Sequence, residues 1–245
     1  MKRYFIIGLA VATLASCEAV PSEGFGNILG GISETLGGQS SAGLSNLEID
    51  AGLRQALEIG ATNVSSQLGA TDGFFGDSNI RIPLPGRLGQ IQSQLSKVGL
   101  SAPLDDLQLR MNRAAEASMP EARKLVVSAV QSITVEDAVG ILQGGDSAAT
   151  DFLRGKTEAS LRDAFAPFID QALQESGAVQ SLNTVASNNG LGGLASNLQG
   201  DMRDHAVNFG LDGMFLYVAA EEKKIREEPV ARTTELLRKV FGANG

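Results

Sequence analysis

Two arginines and two carboxylates recur at helical spacing between residues 106 and 116. Asp106, Arg110, Arg113 and Glu116 lie three to four residues apart, so a helix would place them on one face, with Asn112 at its flank. Paired arginines can grip a carboxylate or a phosphate through bidentate hydrogen bonds. The same spacing also forms ion pairs along the helix, and exposed pairs of this kind are common and weak. We predict a solvated row of ion pairs and call these five residues the candidate polar cluster.

A second polar row occupies residues 201 to 212. Asp201, His205, Asn208 and Asp212 follow one another at steps of four, three and four, which places them on one helical face. A histidine beside carboxylates suits acid–base chemistry or metal binding. However, three helical turns extend over about 16 Å, too far for one metal without a second helix. The row is predicted to be solvated, except for Asp212, which lies between glycines ahead of an apolar run and is expected to be buried.

Two further stretches carry polar residues without a clear motif. Residues 144–147 (GGDS) precede a predicted helix, where free amides could bind an anion, but they lack the lysine and spacing of a phosphate loop. They are interpreted as a helix boundary, and the mixed charges of residues 221–228 as a solvated helix end. The sequence shows no nucleophile elbow and no paired-histidine metalloprotease motif. We predict no catalytic residue, no metal and no cofactor, and leave open whether the chain is an enzyme.

The N-terminus carries the most specific signal in the sequence. Residues 1–17 read MKRYFIIGLAVATLASC, with two basic residues, an apolar run of ten and then small residues. This layout is typical of a secretory signal peptide, and the run is shorter than the ~20 residues that span a bilayer. Its end, Leu14 to Cys17, resembles the bacterial lipobox, in which a diacylglycerol is joined to the cysteine thiol. We predict a signal peptide at 1–16, lipid attachment at Cys17 and a Gly/Ser-rich tether at 17–45.

Composition narrows the choice of partners. The formal net charge is −8, and it becomes −10 once Lys2 and Arg3 leave with a signal peptide. An acidic surface repels phosphate groups. The charge therefore argues against nucleic-acid binding and against electrostatic binding to anionic lipid. The single cysteine excludes an intramolecular disulfide and a thiolate metal cluster. The fold must therefore be held by its core alone.

The rest of the chain reads as helices separated by glycine and proline. Ser45 and Glu48 form a capping box that starts the first one. Apolar residues recur at three- and four-residue steps, and no run alternates with a strand period. The predicted elements are helix 46–68, loop 69–79, extended 80–85, helix 85–98, helix 103–118, a helix opened by Pro120, a short helix capped by Thr134, a helix from 147 kinked at Pro167, loop 187–200, helix 201–228 and a last helix from Pro229. We predict an all-α fold, a single bundle-like domain of about eight helices at 46–242 with a tail at 243–245.

Four segments resemble one protein family. They are GFFGDSNIRIPLP (73–85), DDLQLRMNRAAEA (105–117), ILQGGDSAATDFLRGKT (141–157) and GLDGMFLYVAAEEKKIREEPVARTTELLRKVFG (210–242). Together they resemble the bacterial domain-of-unknown-function family 4197, in order, over about residues 46–242. The resemblance implies a helical domain in envelope proteins of Gram-negative bacteria. It implies no activity and no site residue.

These observations favour a lipid-anchored module of the bacterial envelope, with its domain in the periplasm. The leading hypothesis is a non-catalytic binding or assembly module, because a membrane anchor raises the local concentration of partners in its compartment. One alternative is a hydrolase or transferase that uses carboxylates and arginine, and another is a carrier of an apolar ligand within the bundle. The expected partner is the membrane, through the lipid. A protein partner, a small apolar ligand and the choice of inner or outer membrane stay open.

Overall fold

The computed structural model describes residues 45–188, 192–228, 232 and 234–242. Over this part of the chain it contains eight α-helices and no strand, which confirms the predicted all-α single domain. The predicted signal peptide, the predicted tether with Cys17 and the predicted tail at 243–245 lie outside the described residues. The helices are α1 (Asn46–Leu68), α2 (Gly86–Ser96), α3 (Ala102–Gln131), α4 (Val135–Gln143), α5 (Ala148–Glu175), α6 (Gly177–Asn188), α7 (Gly192–Glu227) and α8 (Glu235–Gly242).

The first helix begins at the predicted capping box. The Ser45 hydroxyl accepts from the Glu48 amide, and the Glu48 carboxylate accepts from the Ser45 amide at 3.0 Å. Farther along α1, Arg54 donates to the carbonyls of Val130 and Gln131 at 3.0 and 2.6 Å. These carbonyls belong to the last turn of α3, where the regular bonds of the helix run out, and the Val130 carbonyl also accepts from the Ile133 amide at 3.2 Å. Arg54 therefore fixes the end of α3 against α1.

The prediction that Pro120 opens a new helix is wrong, because α3 runs through it as one 30-residue helix. Proline lacks an amide proton, so the continuous helix gives up the bond to the Glu116 carbonyl. The Pro120 ring is exposed, and the buried stripe continues on one face from Met111 through Ala122 to Val130. Burial of that continuous stripe outweighs the missing bond. Pro167 likewise lies inside the continuous helix α5.

The predicted loop at 187–200 is also wrong for 187–188 and 192–200, while residues 189–191 lie outside the described residues. Helix α6 extends to Asn188, and α7 begins at Gly192 rather than at Asp201. The glycines and asparagines there suggest a loop, but the partly buried Leu198 packs against the core and Met202 is fully buried. The side-chain amide of Gln199 donates to the side-chain oxygen of Asn183 at 3.0 Å and joins the two helices. Tertiary packing thus overrides weak helix propensity in this stretch.

The last helix is shorter than predicted. Helix α8 begins at Glu235, and the Thr234 hydroxyl accepts from the Leu237 amide at 3.2 Å as its N-terminal cap. Pro229, the predicted start, lies outside the described residues. Leu237, Val240 and Phe241 are buried, as the periodicity predicted.

The segment 69–85 joins α1 to α2 and enters the core without regular structure. Its residues 81–85 are not helical, in agreement with the two prolines. Phe74, Ile80, Ile82 and Leu84 are all buried. Gly213 of α7 allows this approach, because a Cβ there would lie only 3.0 Å from the Cβ of Ile80.

The outer part of this segment is held by an acid–phenol hydrogen bond. The Tyr217 hydroxyl donates to the Asp77 carboxylate. This bond is the main cause that lowers the pKa of Asp77, and the Asn79 amide, donating at 2.8 Å, lowers it further. The carboxylate in turn raises the pKa of Tyr217 above its ordinary value of 10.0. The bond is therefore strongest while Asp77 is ionised and Tyr217 is protonated.

We expect this bond to stabilise the fold only between the two titrations. For Asp77, whose folded pKa is lowered, the contribution is present above its unfolded pKa and is lost as the pH falls through the folded value. For Tyr217, whose folded pKa is raised, it is present below about 10 and is lost as the pH rises through the folded value. The chain has two tyrosines, so in a Tyr4→Phe background the phenolate absorbance reports Tyr217 alone. Its titration midpoint should lie above that of free tyrosine and should fall in Asp77→Asn. An unchanged midpoint in Asp77→Asn would contradict the assignment.

Candidate functional site

An open groove of about 410 Å³ runs between the first half of α3 and the last turns of α5. Its floor contains the half-buried Phe168 and Ala172 of α5. Its rim carries Asp106, Arg110 and Arg113 of α3 and Glu175 of α5, so three members of the candidate polar cluster line it. The volume lies within the ~300–1,000 Å³ usual for ligand pockets. We call this feature the α3–α5 groove.

Arg110 is the charged centre of the groove. Its Nε donates to Asp106 at 2.7 Å, the predicted pairing along the helix, and its Nη1 lies 3.8 Å from Glu175 across the groove. The hydrogen bond to Asp106 is the main cause that raises the pKa of Arg110. The guanidinium therefore stays charged at every physiological pH. Because it is ion-paired and about two-fifths exposed, it is positioned without being hidden from a ligand.

Arg113 connects the groove to the segment 69–85. It donates to Glu116 and to Asp72, each at 2.7 Å, and the bond to Glu116 is the main cause that raises its pKa. Asp72 has a positive φ of 67°, a conformation that is uncommon outside glycine and asparagine-like residues. Arg113 thus holds the segment 69–85 through Asp72, the residue with the uncommon backbone conformation.

The prediction of a solvated row of ion pairs is wrong for Glu116, which is only 4% exposed. Its Oε1 accepts from the backbone amides of Phe74 and Phe75 at 3.1 and 3.2 Å, while its Oε2 accepts from Arg113. A buried carboxylate is tolerated when amides and a cation satisfy it in this way. Glu116 is therefore an internal anchor for the segment 69–85.

Asn112 is the second internal anchor and is fully buried. Its Oδ1 accepts from the Ile82 amide at 2.8 Å, and its Nδ2 donates to the Ile82 carbonyl at 2.9 Å. One side chain thus replaces the two hydrogen bonds that a neighbouring strand would give to this extended residue. The candidate polar cluster therefore divides into a groove part, Asp106, Arg110 and Arg113, and a buried part, Asn112 and Glu116.

The structure does not gather the second polar row into a site. The expectation that Asp212 is buried is wrong, because its side chain is 69% exposed and pairs with Arg154. The adjacent Gly213 faces the core instead, where it packs against Ile80. His205 contacts the carbonyl of Pro83 at 2.9 Å, and Asn208 accepts from Arg162. No group of His, Cys, Asp or Glu within the described ranges is arranged to hold a metal ion.

The start of α5, just after residues 144–147, meets the segment 221–228 in a contact that sequence reasoning missed. Glu222 is 7% exposed, and its carboxylate accepts from the amides of Ala149 and Thr150 at 3.0 and 2.9 Å. The amides at the start of α5 therefore do bind an anion, but the anion belongs to α7. Arg226 completes the pair at 2.8 Å, so the predicted solvated helix end is wrong for these two residues.

Sequence reasoning missed seven groove residues, among them Phe168, Ala172 and Glu175 of α5. Helical periodicity marks Phe168 as an inward-facing residue of α5, and it gives no reason to single out the other two. They enter the groove only because the end of α5 packs against the start of α3. A local pattern within one helix carries no signal for that pairing.

The interior of the bundle is closely packed. The apolar gaps enclosed by α1, α3, α5 and α7 have volumes of about 10 to 20 Å³, the size of a single water molecule. Each of these gaps is too small for an apolar ligand. In the same residues no single helix is long and apolar enough to cross a membrane, although the bent pair α3 and α4 passes on combined length and composition.

A family model described as "Protein of unknown function (DUF4197)" covers residues 43–242. No curated protein and no solved structure matches the chain.

Proposed function

Because this chain belongs to the DUF4197 family, whose description states no activity, we propose a function from its own residues: a non-catalytic, lipid-anchored envelope module that binds a protein partner in the α3–α5 groove. The observation that carries the proposal is the groove itself. It combines an apolar floor with a rim of charges already fixed by ion pairs. Such a pairing of apolar and charged surface is usual in protein interfaces.

The charges of the groove favour binding over catalysis. The two arginines hold raised pKa values and cannot exchange a proton at neutral pH. Asp106 and Glu175 are 44% and 55% exposed, whereas an acid or base of an enzyme is usually enclosed away from water. Since both arginines are already paired with acidic side chains, a small free anion gains little there. A protein segment with apolar side chains and its own mixed charges fits the groove better.

The anchor supplies the second half of the proposal. The lipobox-like end of residues 1–17 would place lipid on Cys17, and the 28 residues from there to Ser45 reach roughly 30 Å. A domain held so close to a membrane meets partners of that membrane at a high effective concentration. The groove then needs only modest intrinsic affinity.

The proposal is tested by crosslinking in cells. A photoreactive residue replaces Ala117, an exposed residue of the α3–α5 groove, and in a control chain it replaces Lys223, an exposed residue of α7. We expect one discrete protein adduct from the Ala117 position. The yield of that adduct from the Lys223 position should be at least tenfold lower. Arg110→Glu and Phe168→Ala should each weaken the adduct, because they remove the central charge or the apolar floor.

The anchor is tested in the same cells. Mass spectrometry of the N-terminal peptide should show lipid on Cys17, and Cys17→Ser should lose both the lipid and most of the adduct. Equal adducts from the two positions would overturn the proposed groove. An unmodified Cys17 would overturn the proposed anchor, whatever the adducts show.

A further inference from the structure

Helix α2 and the turn after it present apolar side chains to solvent. The stripe of Leu88, Ile91, Leu95 and Val98 is expected to face the core, yet α2 contains no fully buried residue. Ile91 is 47% exposed, Val98 is 68% exposed and Leu100 is 64% exposed. The main helix contact of α2 is with α3, where Gln92 donates to Asp105 at 2.8 Å. Leu88 and Leu95 are half-buried, and Leu88 packs against the core. Burial within the domain therefore does not explain Ile91, Val98 and Leu100.

The exposed side chains are held in place. The Leu100 amide donates to the Leu95 carbonyl at 2.9 Å, closing the turn after α2. Gly99 makes this turn possible, because its φ of +73° lies in the region that favours glycine. Val98 and Leu100 thus project from a defined turn rather than from a loose loop.

The charge of this region is opposite to that of the rest of the chain. Residues 78–104 contain three basic residues and no acidic one, whereas the other residues hold 17 basic and 28 acidic ones. Arg87 and Lys97 are exposed, and neither forms an ion pair with a described residue. Arg87, Ile91 and Val98 follow at steps of four and seven, which places a free cation on the same stripe as the apolar residues. The nearest acids on α3 are engaged, Asp105 by Gln92 and Ser101 and Asp106 by Arg110.

We propose that α2 and its turn, residues 86–100, dock on an anionic lipid surface. Ile91, Val98 and Leu100 enter the boundary between headgroups and acyl chains, and Arg87 and Lys97 lie at the lipid phosphates. The area is small, so docking by itself is weak but measurable at high lipid concentration, and in the cell a chain already held near the membrane would dock far more extensively. In that respect the inference rests on the anchor of the proposed function. The acidic remainder of the domain is repelled by the same surface, which selects this face over the others.

A second exposed apolar pair provides the internal control. Phe209 and Leu216 lie on the outer face of α7 and are 43% and 53% exposed. Asp212 lies between them on the same face and is itself exposed. The arginines beside this patch, Arg154 and Arg162, are ion-paired with Asp212 and Glu158, so they offer no free cation to anionic lipid. The structure therefore distinguishes two exposed apolar patches by their charge.

Tryptophan fluorescence tests the proposal on the full chain, which has no tryptophan of its own. Val98→Trp and the control Leu216→Trp are each mixed with vesicles of phosphatidylglycerol or of phosphatidylcholine, with and without brominated acyl chains. We expect the emission of Val98→Trp to shift to shorter wavelength and to be quenched by brominated phosphatidylglycerol. Leu216→Trp should keep a solvent-like emission. Arg87→Gln and Lys97→Gln, each added to Val98→Trp, should lower the docking equilibrium constant about fivefold.

Three results would overturn the proposal. The first is equal quenching of Val98→Trp and Leu216→Trp. The second is quenching of Val98→Trp that is the same for phosphatidylglycerol and phosphatidylcholine and is unchanged by both glutamine substitutions. The third is a shift of Val98→Trp without lipid that grows with protein concentration, which would identify a second copy as the partner. The vesicle measurement requires neither lipid on Cys17 nor a ligand in the groove. Its failure is thus distinguishable from failure of the proposed function.

Discussion

Replacing Glu222 with alanine is expected to lower the free energy of unfolding by about 3–5 kcal/mol. The carboxylate accepts from the buried amides of Ala149 and Thr150 and from the Thr150 hydroxyl at 2.7 Å, and it pairs with Arg226. Its removal leaves two amides at the start of α5 without a partner and a guanidinium that is only 14% exposed without its charge partner. It also removes a negative charge from the positive end of the α5 dipole. Urea unfolding followed by circular dichroism measures the change.

Glu227→Ala is the matched control for this measurement. Glu227 lies on the same helix, is 56% exposed and reaches Lys223 only at 3.9 Å, so its loss should change stability by less than about 0.5 kcal/mol. Hydrogen exchange should show faster exchange of the Ala149 and Thr150 amides in Glu222→Ala. A loss below about 1 kcal/mol, with those amides still protected, would mean that water replaces the carboxylate.

Replacing Asn112 with leucine is expected to cost about 3 kcal/mol, the second largest effect among these predictions. Leucine has the same number and branching of side-chain heavy atoms, so it fills the site with bulkier methyl groups while the hydrogen bonds disappear. The Ile82 amide then has no partner in a buried environment, and the Ile82 carbonyl keeps only a 3.3 Å bond from Gln108. An unpaired buried amide carries the full cost of its lost hydration.

Asn208→Leu makes the same chemical change on the surface. Asn208 is exposed and bonds only to Arg162 among the described residues, so this variant should unfold within about 0.5 kcal/mol of the parent. Exchange of the Ile82 amide should accelerate in Asn112→Leu and stay unchanged in Asn208→Leu. If the two variants lost equal stability, Asn112 would not be the anchor of the segment 69–85.

The buried anchors clarify what the α3–α5 groove is built on. Glu116 and Asn112 lie on α3 beside the groove residues Arg113 and Arg110, but they face the segment 69–85. Arg113 contacts both sides, because it pairs with Glu116 and with Asp72. A ligand carboxylate that drew Arg113 into the groove would therefore compete with the anchoring of Asp72. The groove and the loop are connected through this single side chain.

The sequence by itself determined the helical class and most helix boundaries. Capping boxes at Ser45 and Thr134 are local, since one side chain satisfies amides three residues away, and both appear where the residues predict them. The two ion pairs within α3 are local for the same reason. Family membership also follows from the order of short sequence segments. These features depend only on residues close together along the chain.

Only the tertiary structure decided where the polar residues face. Glu116 and Arg110 have similar local surroundings on one helix, but Glu116 is buried because the segment 69–85 covers it, while Arg110 faces the groove. The continuity of α3 through Pro120 and the helical start of α7 are likewise decided by burial against other helices, which outweighs local propensity. Helix α2 shows the opposite case. Apolar side chains that recur at helical spacing face solvent there, because no other element covers them. Burial is a property of pairs of distant segments, and a local pattern cannot specify it.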